Sequence, residues 1–302
     1  MSYHEPAAFK ENFRWVGQQA ASGLTMENLT PVSYQVTTHG GFAYDAYNAR
    51  AMLNPWNVLR LIECSRAVGW WKTSLNEETG PFMEINKLGR MFFTVAMSMK
   101  FHPEVYDTSV EKRPITTHNE MAHIGNTSFK YKTAVEFGDA KKPLVEVENQ
   151  FVFIDPESRK PCGPDDWWRA KYSSEMSPTE TALRIPALLE PENGEIWEEQ
   201  IRILPSDIDP YMHMSWAHYV KYCMDVYTLR HVRLHGYTGN GDPFRMVKFL
   251  EVNYRGEASM GDLLNIKFWK NFDNENIYNF LFVKGDKVIF ECKMGFFPLV
   301  KS

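Results

Sequence analysis

The 302-residue sequence predicts an α+β fold made of two copies of one unit, each a long helix wrapped by a curved antiparallel sheet. Two amphipathic helical patterns occur, one in each half of the chain. Each is followed by segments in which apolar and polar residues alternate, which is typical of half-buried antiparallel strands. Between the halves, residues 171–194 have weak periodicity and three prolines, which indicates a linker.

The two helical patterns occupy residues 54–72 and 215–236. In the first, Asn54 is a candidate N-cap, and Pro55 suits the first helical position because its fixed φ is already helical. In the second, Gly236 is a candidate stop. The apolar positions at helical spacing in the first pattern are Trp56, Leu59, Ile62 and Val68.

The strand patterns also occur in the same order in both halves. Residues 145–151 and 290–296 alternate with a period of two, and the segments 127–137 and 276–285 precede them, each with a Gly-Asp hairpin signal nearby. This agreement predicts a repeat whose two sheets can pair edge to edge as an internal pseudo-dimer. The predicted bounds are 30–170 for the N-terminal unit, 171–194 for the linker and 195–300 for the C-terminal unit.

Composition excludes several classes of protein. The net charge is −5 and no basic block occurs, which argues against a nucleic-acid partner. No apolar stretch is long enough for a membrane span, and the N-terminus has no secretory apolar region. The four cysteines, Cys64, Cys162, Cys223 and Cys292, show neither zinc-ligand spacing nor a disulfide framework, so we expect a reducing, cytoplasmic location. We expect no metal or organic cofactor, and a homodimer of the whole chain stays open.

One segment before the second helix carries the most specific signal. It reads ILPSDIDPYMHMSWAHYVKY (203–222) and resembles the signature of hotdog-fold thioesterases of the 4-hydroxybenzoyl-CoA thioesterase-like branch. That signature has an acid-x-acid segment, a His, and a Tyr inside the helix. The matching residues here are Asp207, Asp209, His213 and Tyr219. The stretch LEVNYRGEASMGDLLNIKFW (250–269) is similar to the strand and turn that follow in the same family.

Two such units in one chain resemble the plant-type acyl-acyl-carrier-protein thioesterases. In that family the active groups lie in the C-terminal unit as D-x-N-x-H, followed by a Glu on the next strand. The resemblance therefore implies a tandem, or double, hotdog fold. It also implies that Asp209, His213 and Glu257 are catalytic, and that the substrate is an acyl-CoA or acyl-carrier-protein thioester.

The sequence departs from the family pattern at several positions. Tyr211 and Ser215 stand where the family has Asn, and Ala258 stands where the plant enzymes often have Cys. In the N-terminal half, Asn48 falls at the acid position and Met52 at the His position. A neutral amide cannot act as a nucleophile or a general base, so we expect the N-terminal unit to be catalytically silent.

The aromatic content of 14% is high and predicts either a thick core or an apolar ligand site. By the same resemblance, the silent unit would bind the acyl chain. The residues expected to bind substrate are Tyr211, Ser215, Tyr219, Trp56 and Phe93. Each also has a plain structural interpretation as a core or wall residue.

The chemistry expected of the site is thioester hydrolysis to free fatty acid and thiol. Asp209 would attack the carbonyl or activate water, and the N–H groups at the start of the helix would stabilise the oxyanion. His213 would orient the water or protonate the thiolate, and Glu257 would be the second acid. Structural interpretations remain: Asp207 or Asp209 as a helix N-cap, His213 as a hydrogen-bonding residue, and Glu257 as a solvated turn residue.

Two other functions stay open at this point. The first is an enoyl-thioester hydratase of the hotdog fold, although that family spaces its Asp and His five apart with an Asn between, and here the spacing is four. The second is a non-catalytic acyl-CoA-binding or scaffold protein, because Tyr211 and Ser215 both depart from the pattern inside the motif. Fold alone does not decide among them.

Overall fold

The computed structural model describes residues 23–71, 82–140, 142–236 and 243–298. Its helices are α1 (Pro55–Trp71), α2 (Asp166–Tyr172) and α3 (Trp216–His235). Its strands are β1 (Leu24–Thr30), β2 (Ser33–Thr38), β3 (Met91–Phe101), β4 (Ile115–Ile124), β5 (Ser128–Phe137), β6 (Val145–Ile154), β7 (Trp197–Arg202), β8 (Val247–Tyr254), β9 (Leu263–Lys270), β10 (Ile277–Lys284) and β11 (Lys287–Phe296). The predicted α+β class is confirmed. None of the helices within these ranges is both long and apolar enough to cross a membrane.

The chain divides into two compact units. The first contains the stretch ending at Phe42 together with Arg60–Ala96 and Ser109–Arg184, and the second contains Ala43–Leu59, Met97–Thr108 and the chain from Ile185 onward. These units differ from the bounds predicted from the sequence, because two segments of the N-terminal half belong to the second unit. One cause is visible at Tyr106, whose hydroxyl donates a hydrogen bond of 2.8 Å to the carbonyl of Val247 on β8.

The sheet of the first unit has the order β1-β2-β4-β5-β6-β3, and its β1–β2, β2–β4, β4–β5 and β5–β6 pairs are antiparallel. Helix α1 packs on it mainly through Trp70. The indole makes edge-to-face contacts with Tyr131 and Phe151, at centroid distances of 5.5 and 5.4 Å. At the preceding residue, a Cβ on Gly69 would lie 2.3 Å from Cζ of Tyr34, so only glycine allows the helix to come this close to β2.

The sheet of the second unit has the order β8-β11-β10-β9-β7, again with antiparallel pairs. Helix α3 packs against it with residues at helical spacing. Tyr219 stacks on Phe290 at 4.7 Å, and Tyr227 lies 4.8 Å from Phe296. The helix ends at Gly236, which has φ of 73° and donates its N–H to Val232, as predicted for a stop.

The segment predicted as a linker is ordered against both sheets. Residues 176–196, which we call the strap, contain no helix or strand. In the first unit, Glu180 of the strap pairs with both Lys130 and Lys132 of β5. In the second, the strap carbonyl of Ile185 accepts a hydrogen bond from Asn253 of β8 at 3.3 Å. The strap is therefore held by polar contacts on the strands of each unit.

Candidate active site

The candidate site is built on the loop of residues 207–215, which leads into α3 and which we call the C loop. The loop closes on itself through two backbone bonds of 2.9 Å, from Asp209 N–H to the His213 carbonyl and from Met212 N–H to the Asp209 carbonyl. Met212 adopts φ of 61°, which this tight turn requires. An isolated bridge between Ile208 and Met214 forms the base of the loop. The side chains of the motif are thus presented from one closed turn.

The carboxylate of Asp209 is fixed by the loop itself. Its Oδ1 accepts the N–H of Tyr211 at 2.8 Å, and the side chain is half-buried. This local bond is an Asx turn, which holds the carboxylate above the turn rather than letting it rotate. Neither Asp209 nor Asp207 is the N-cap of α3, so that structural interpretation was wrong. The N-cap is Ser215.

The structure brings His213 and Glu257 together. His213 Nε2 lies 3.1 Å from Glu257 Oε2, with the histidine side chain 22% exposed and the glutamate side chain 43% exposed. The C loop is clamped beside the glutamate by a 2.8 Å bond from Met214 N–H to the Ala258 carbonyl. A carboxylate at Nε2 orients the imidazole. The opposite ring nitrogen, Nδ1, is buried.

Tyr219 is buried and does not face solvent. Burial raises the pKa of its hydroxyl, the backbone of Ala258 lowers it, and the carboxylates of Glu257 and Asp209 raise it again. These electrostatic effects place Tyr219 near both carboxylates. Because the ring also stacks on Phe290, the residue serves the core as well as the floor of the site.

The start of α3 supplies the remaining chemical group. Ser215 is buried, and its side chain makes no capping bond, while its carbonyl accepts the N–H of His218 at 2.9 Å. The first turn of an α-helix has N–H groups without intrahelical acceptors and a partial positive charge. Such a terminus beside Asp209 and His213 can stabilise a developing oxyanion.

The other residues predicted to bind substrate lie apart in the chain. Trp56 is half-buried in the first turn of α1, in the second unit. Phe93 is half-buried on β3 in the first unit, where the Arg159 guanidinium lies 5.7 Å from its ring centroid. Tyr211 is half-buried in the C loop. Their roles in substrate binding stay predictions.

The C loop has a near-identical copy at residues 46–54, which we call the N loop. Asn48 N–H bonds the Met52 carbonyl at 2.9 Å and Ala51 N–H bonds the Asn48 carbonyl at 2.9 Å, as Asp209 and its partners do. Ala51 has φ of 55°, matching Met212. The paired residues, at a constant offset in number, are Ala46 and Asp207, Asn48 and Asp209, Arg50 and Tyr211, Ala51 and Met212, Met52 and His213, Asn54 and Ser215.

This match confirms the alignment expected from the sequence, in which Asn48 takes the acid position and Met52 the histidine position. It also shows that the loop does not need a carboxylate to fold. Asn48 Oδ1 accepts the N–H of Arg50 at 2.9 Å, the same bond that Asp209 makes with Tyr211. The ionisable groups of the C loop are therefore additions to a backbone that forms without them.

The sequence interpretation missed a buried cluster directly behind the C loop. Asp207 is only 3% exposed, and its Oδ2 accepts the hydroxyl of Tyr222 at 2.7 Å. His218 Nδ1 lies 3.5 Å from Asp207 Oδ1. The spacing of His218 and Tyr222, four apart on one helix face, was the signal that could have revealed it. Elsewhere in the described ranges, as here, no group of three or more His, Cys, Asp or Glu side chains could hold a metal ion.

The fold has counterparts among solved structures. An acyl-ACP thioesterase from Bacteroides thetaiotaomicron is 13% identical, with a TM-score of 0.59, over 92% of this chain and 99% of that chain. The 12:0-ACP thioesterase from Umbellularia californica is 12% identical, with a TM-score of 0.61, over 90% of this chain and 100% of that chain. The sequence matches no protein-family model and no curated protein.

At these identities the likeness defines the fold. The chain has the double hotdog architecture of such proteins over nearly its whole length, which confirms the fold expected from the sequence motifs.

Proposed function

We propose that this protein hydrolyses fatty acyl thioesters, carried by coenzyme A or by acyl carrier protein, to a free fatty acid and a thiol. The observation that carries the proposal is the pairing of His213 with Glu257 at 3.1 Å on the loop that presents Asp209. The N loop has the same backbone but carries Asn48 and Met52 instead. The likeness in fold to two acyl-ACP thioesterases supports the same reaction class.

In the proposed reaction, the thioester carbonyl lies over the start of α3. Asp209 either attacks the carbonyl carbon or removes a proton from the water that attacks it. Negative charge then develops on the carbonyl oxygen, where the N–H groups of the first helical turn stabilise it. Collapse of the tetrahedral intermediate breaks the carbon–sulfur bond and releases the thiolate. Water attack gives the fatty acid directly, whereas attack by Asp209 leaves an acyl–aspartate anhydride that a water molecule then hydrolyses to the fatty acid and free Asp209.

His213 and Glu257 act together in this scheme. Donation from His213 Nε2–H to Glu257 fixes the tautomer and the ring orientation. The oriented ring holds the water, or it passes to the departing thiolate the proton that Asp209 has taken from that water. A thiolate is a good leaving group, so we expect the histidine to contribute less to the rate than Asp209 does.

We further propose that the N-terminal half of the chain, which carries an aromatic layer, binds the acyl chain. Trp56 and Phe93 are the residues proposed to contact that chain, and Tyr211 of the C loop is also proposed to bind substrate. Tyr211 stands where the motif that this sequence resembles has Asn, and its larger ring would narrow the site there. Chain length would then depend on how much of the aromatic layer the substrate must cover.

Thiol release by the purified full-length chain tests the proposal. We expect saturable release of thiol from a panel of acyl-CoA and acyl-carrier-protein thioesters of varied chain length. His213→Met gives the C loop the residue that the N loop already accommodates at Met52, so it is expected to fold normally and to lose activity by roughly 10-fold or more.

Two other results would contradict hydrolysis and identify another function. Tight binding of acyl-CoA without thiol release by the wild type would indicate a binding or scaffold protein. Hydration of an enoyl-CoA would indicate a hydratase. It would be measured as a loss of the absorbance of the conjugated double bond, without thiol release.

A further inference from the structure

Asp207 connects three parts of the second unit. Its Oδ2 accepts the Leu204 N–H at 2.8 Å and the Tyr222 hydroxyl at 2.7 Å. Its carbonyl oxygen accepts the Ser215 N–H at 2.8 Å and lies 3.2 Å from His218 Nδ1. A single buried residue thus links the segment before the C loop, the end of the C loop and the first two turns of α3.

The N loop shows that these contacts are not needed to form the loop. Ala46 occupies the position of Asp207, and its carbonyl accepts the Asn54 N–H at 2.9 Å, just as Asp207 accepts Ser215. In the helix that follows each loop, Asn57 and Leu61 of α1 occupy the positions of His218 and Tyr222 of α3. The backbone is the same in both loops, so the buried Asp–His–Tyr cluster is an addition found on the loop that carries Asp209 and His213.

We propose that Asp207, His218 and Tyr222 form a positioning network for the reaction, which holds the C loop in one orientation relative to the N-terminus of α3. The network touches neither substrate nor reacting atoms, and it acts through Asp209 and His213. This inference rests on the proposed thioester hydrolysis. A displacement of a reacting group by a fraction of an ångström lowers the rate of the chemical step, so a rigid link between the acid and the helix terminus favours catalysis.

The hydrogen bonds and charged groups around Asp207 fix the position of its buried carboxylate. A buried carboxylate is costly unless it is hydrogen-bonded, and Asp207 receives bonds from a backbone amide and a phenol, beside an imidazole. On the same helix, burial raises the pKa of Asp225, with Lys221 lowering it and Asp207 raising it. Asp207 likewise raises the pKa of the Tyr222 hydroxyl, after burial itself. The groups facing Asp207 are therefore His218, Tyr222 and Asp225, with Lys221 beyond them.

Steady-state kinetics of three variants test this role. Asp207→Asn removes the charge, His218→Asn copies Asn57 of α1, and Tyr222→Phe removes one hydrogen bond. We expect kcat to fall by about 10-fold or more in the first two and less in the third, with KM within about twofold of wild type. Asn57→Ala, at the equivalent position of α1, is the matched control and is expected to leave both constants unchanged.

The pH profile separates positioning from loss of fold. Asp207 places a negative charge two residues from Asp209, and a like charge disfavours ionisation. In Asp207→Asn, the acid limb of kcat/KM is therefore expected to move to lower pH. A purely structural defect would lower the whole profile without moving that limb.

Clear results would overturn the proposal. These are kcat within twofold of wild type in both Asp207→Asn and His218→Asn, or a loss of kcat with an equal rise in KM and an unmoved acid limb. If the wild type releases no thiol at all, the proposed hydrolysis fails instead. In that case, amide hydrogen exchange at Ser215 and Asp209 tests whether Asp207 holds the C loop, independently of any activity. Faster exchange in Asp207→Asn at unchanged global stability supports the link to the loop, and unchanged exchange overturns it.

Discussion

Asn149 on β6 is buried without the partners that a buried amide needs. Its side chain has 0% exposure and stands directly opposite Tyr131 of β5. Neither its Nδ2 nor its Oδ1 has a hydrogen-bond partner among the residues that the structure describes. A buried amide in this state costs about 1–3 kcal/mol relative to an apolar group of similar shape.

Replacing this residue is therefore expected to stabilise the protein. Asn149→Leu should raise the free energy of unfolding by about 1 kcal/mol or more, measured by urea denaturation. Asn119→Leu is the matched control on β4, on the other side of β5. Its amide donates to Ser65 and accepts from Thr133, so the same change there should destabilise by about 1–3 kcal/mol. Destabilisation by Asn149→Leu would mean that an ordered water or a ligand satisfies the amide.

Individual residues of the site differ in how well the sequence predicts them. Asp209, His213 and Glu257 were candidates through the resemblance to a known motif, and the structure places the last two in contact. Asp207 was in the same motif, yet its buried contacts were missed. The four-residue spacing of His218 and Tyr222 places both on one helix face, but no spacing rule predicts that this face meets Asp207 or that Leu204 turns back to the same carboxylate.

At the scale of single elements, α1 depends on a close approach to β2 at one glycine. Alanine is normally the better helix former by about 1 kcal/mol. At Gly69, however, the added Cβ would lie 2.3 Å from the buried ring of Tyr34. Gly69→Ala is therefore expected to destabilise the protein by about 1–3 kcal/mol in thermal or urea unfolding. Unchanged or higher stability would contradict the tight packing of α1 on β2.

Glu180 of the strap is expected to make a pH-dependent contribution to the free energy of unfolding. Hydrogen bonds from Lys130 and then Lys132 hold the pKa of Glu180 below its usual range. A carboxylate whose pKa is lower in the folded state stabilises the fold above its unfolded pKa, and this stabilisation is lost as the pH falls through the folded value.

Glu180→Gln tests that contribution. The variant should be less stable than wild type near neutral pH, by up to about 1 kcal/mol, and the difference should vanish in acid. Glu175→Gln, an exposed carboxylate just before the strap, is the control and should show no difference at either pH. A difference for Glu180→Gln that persists in acid would show that the ion pair is not its cause.

Local patterns predicted the elements closely. The helical patterns at 54–72 and 215–236 correspond to Pro55–Trp71 and Trp216–His235, because caps and apolar spacing are local properties. The hairpin signal at Gly285 is confirmed by its φ of 58° between β10 and β11. The strap was predicted only as a linker, since its order depends on lysine, glutamine and asparagine side chains of distant strands.

At the scale of the whole molecule, the repeat was readable from the order of elements, but the division into units was not. Ala43–Leu59 and Met97–Thr108 belong to the second unit although they lie in the N-terminal half. Contacts such as Tyr106 to Val247 join positions far apart in the chain, and composition alone carries no trace of them. The N loop and the C loop show the repeat most clearly. Comparing them distinguishes the backbone bonds that fold both loops from the ionisable side chains that only the C loop carries.

The rate of thiol release from acyl thioesters by Asp209→Asn tests the proposed hydrolysis most directly. The N loop shows that Asn fits this turn, so the variant should fold as the wild type does, which its circular dichroism and urea midpoint would verify. We predict a loss in kcat of roughly 10²- to 10⁴-fold. Asn48→Asp, the mirror change in the N loop, should leave the rate unchanged. A folded Asp209→Asn variant that keeps wild-type turnover would contradict the account.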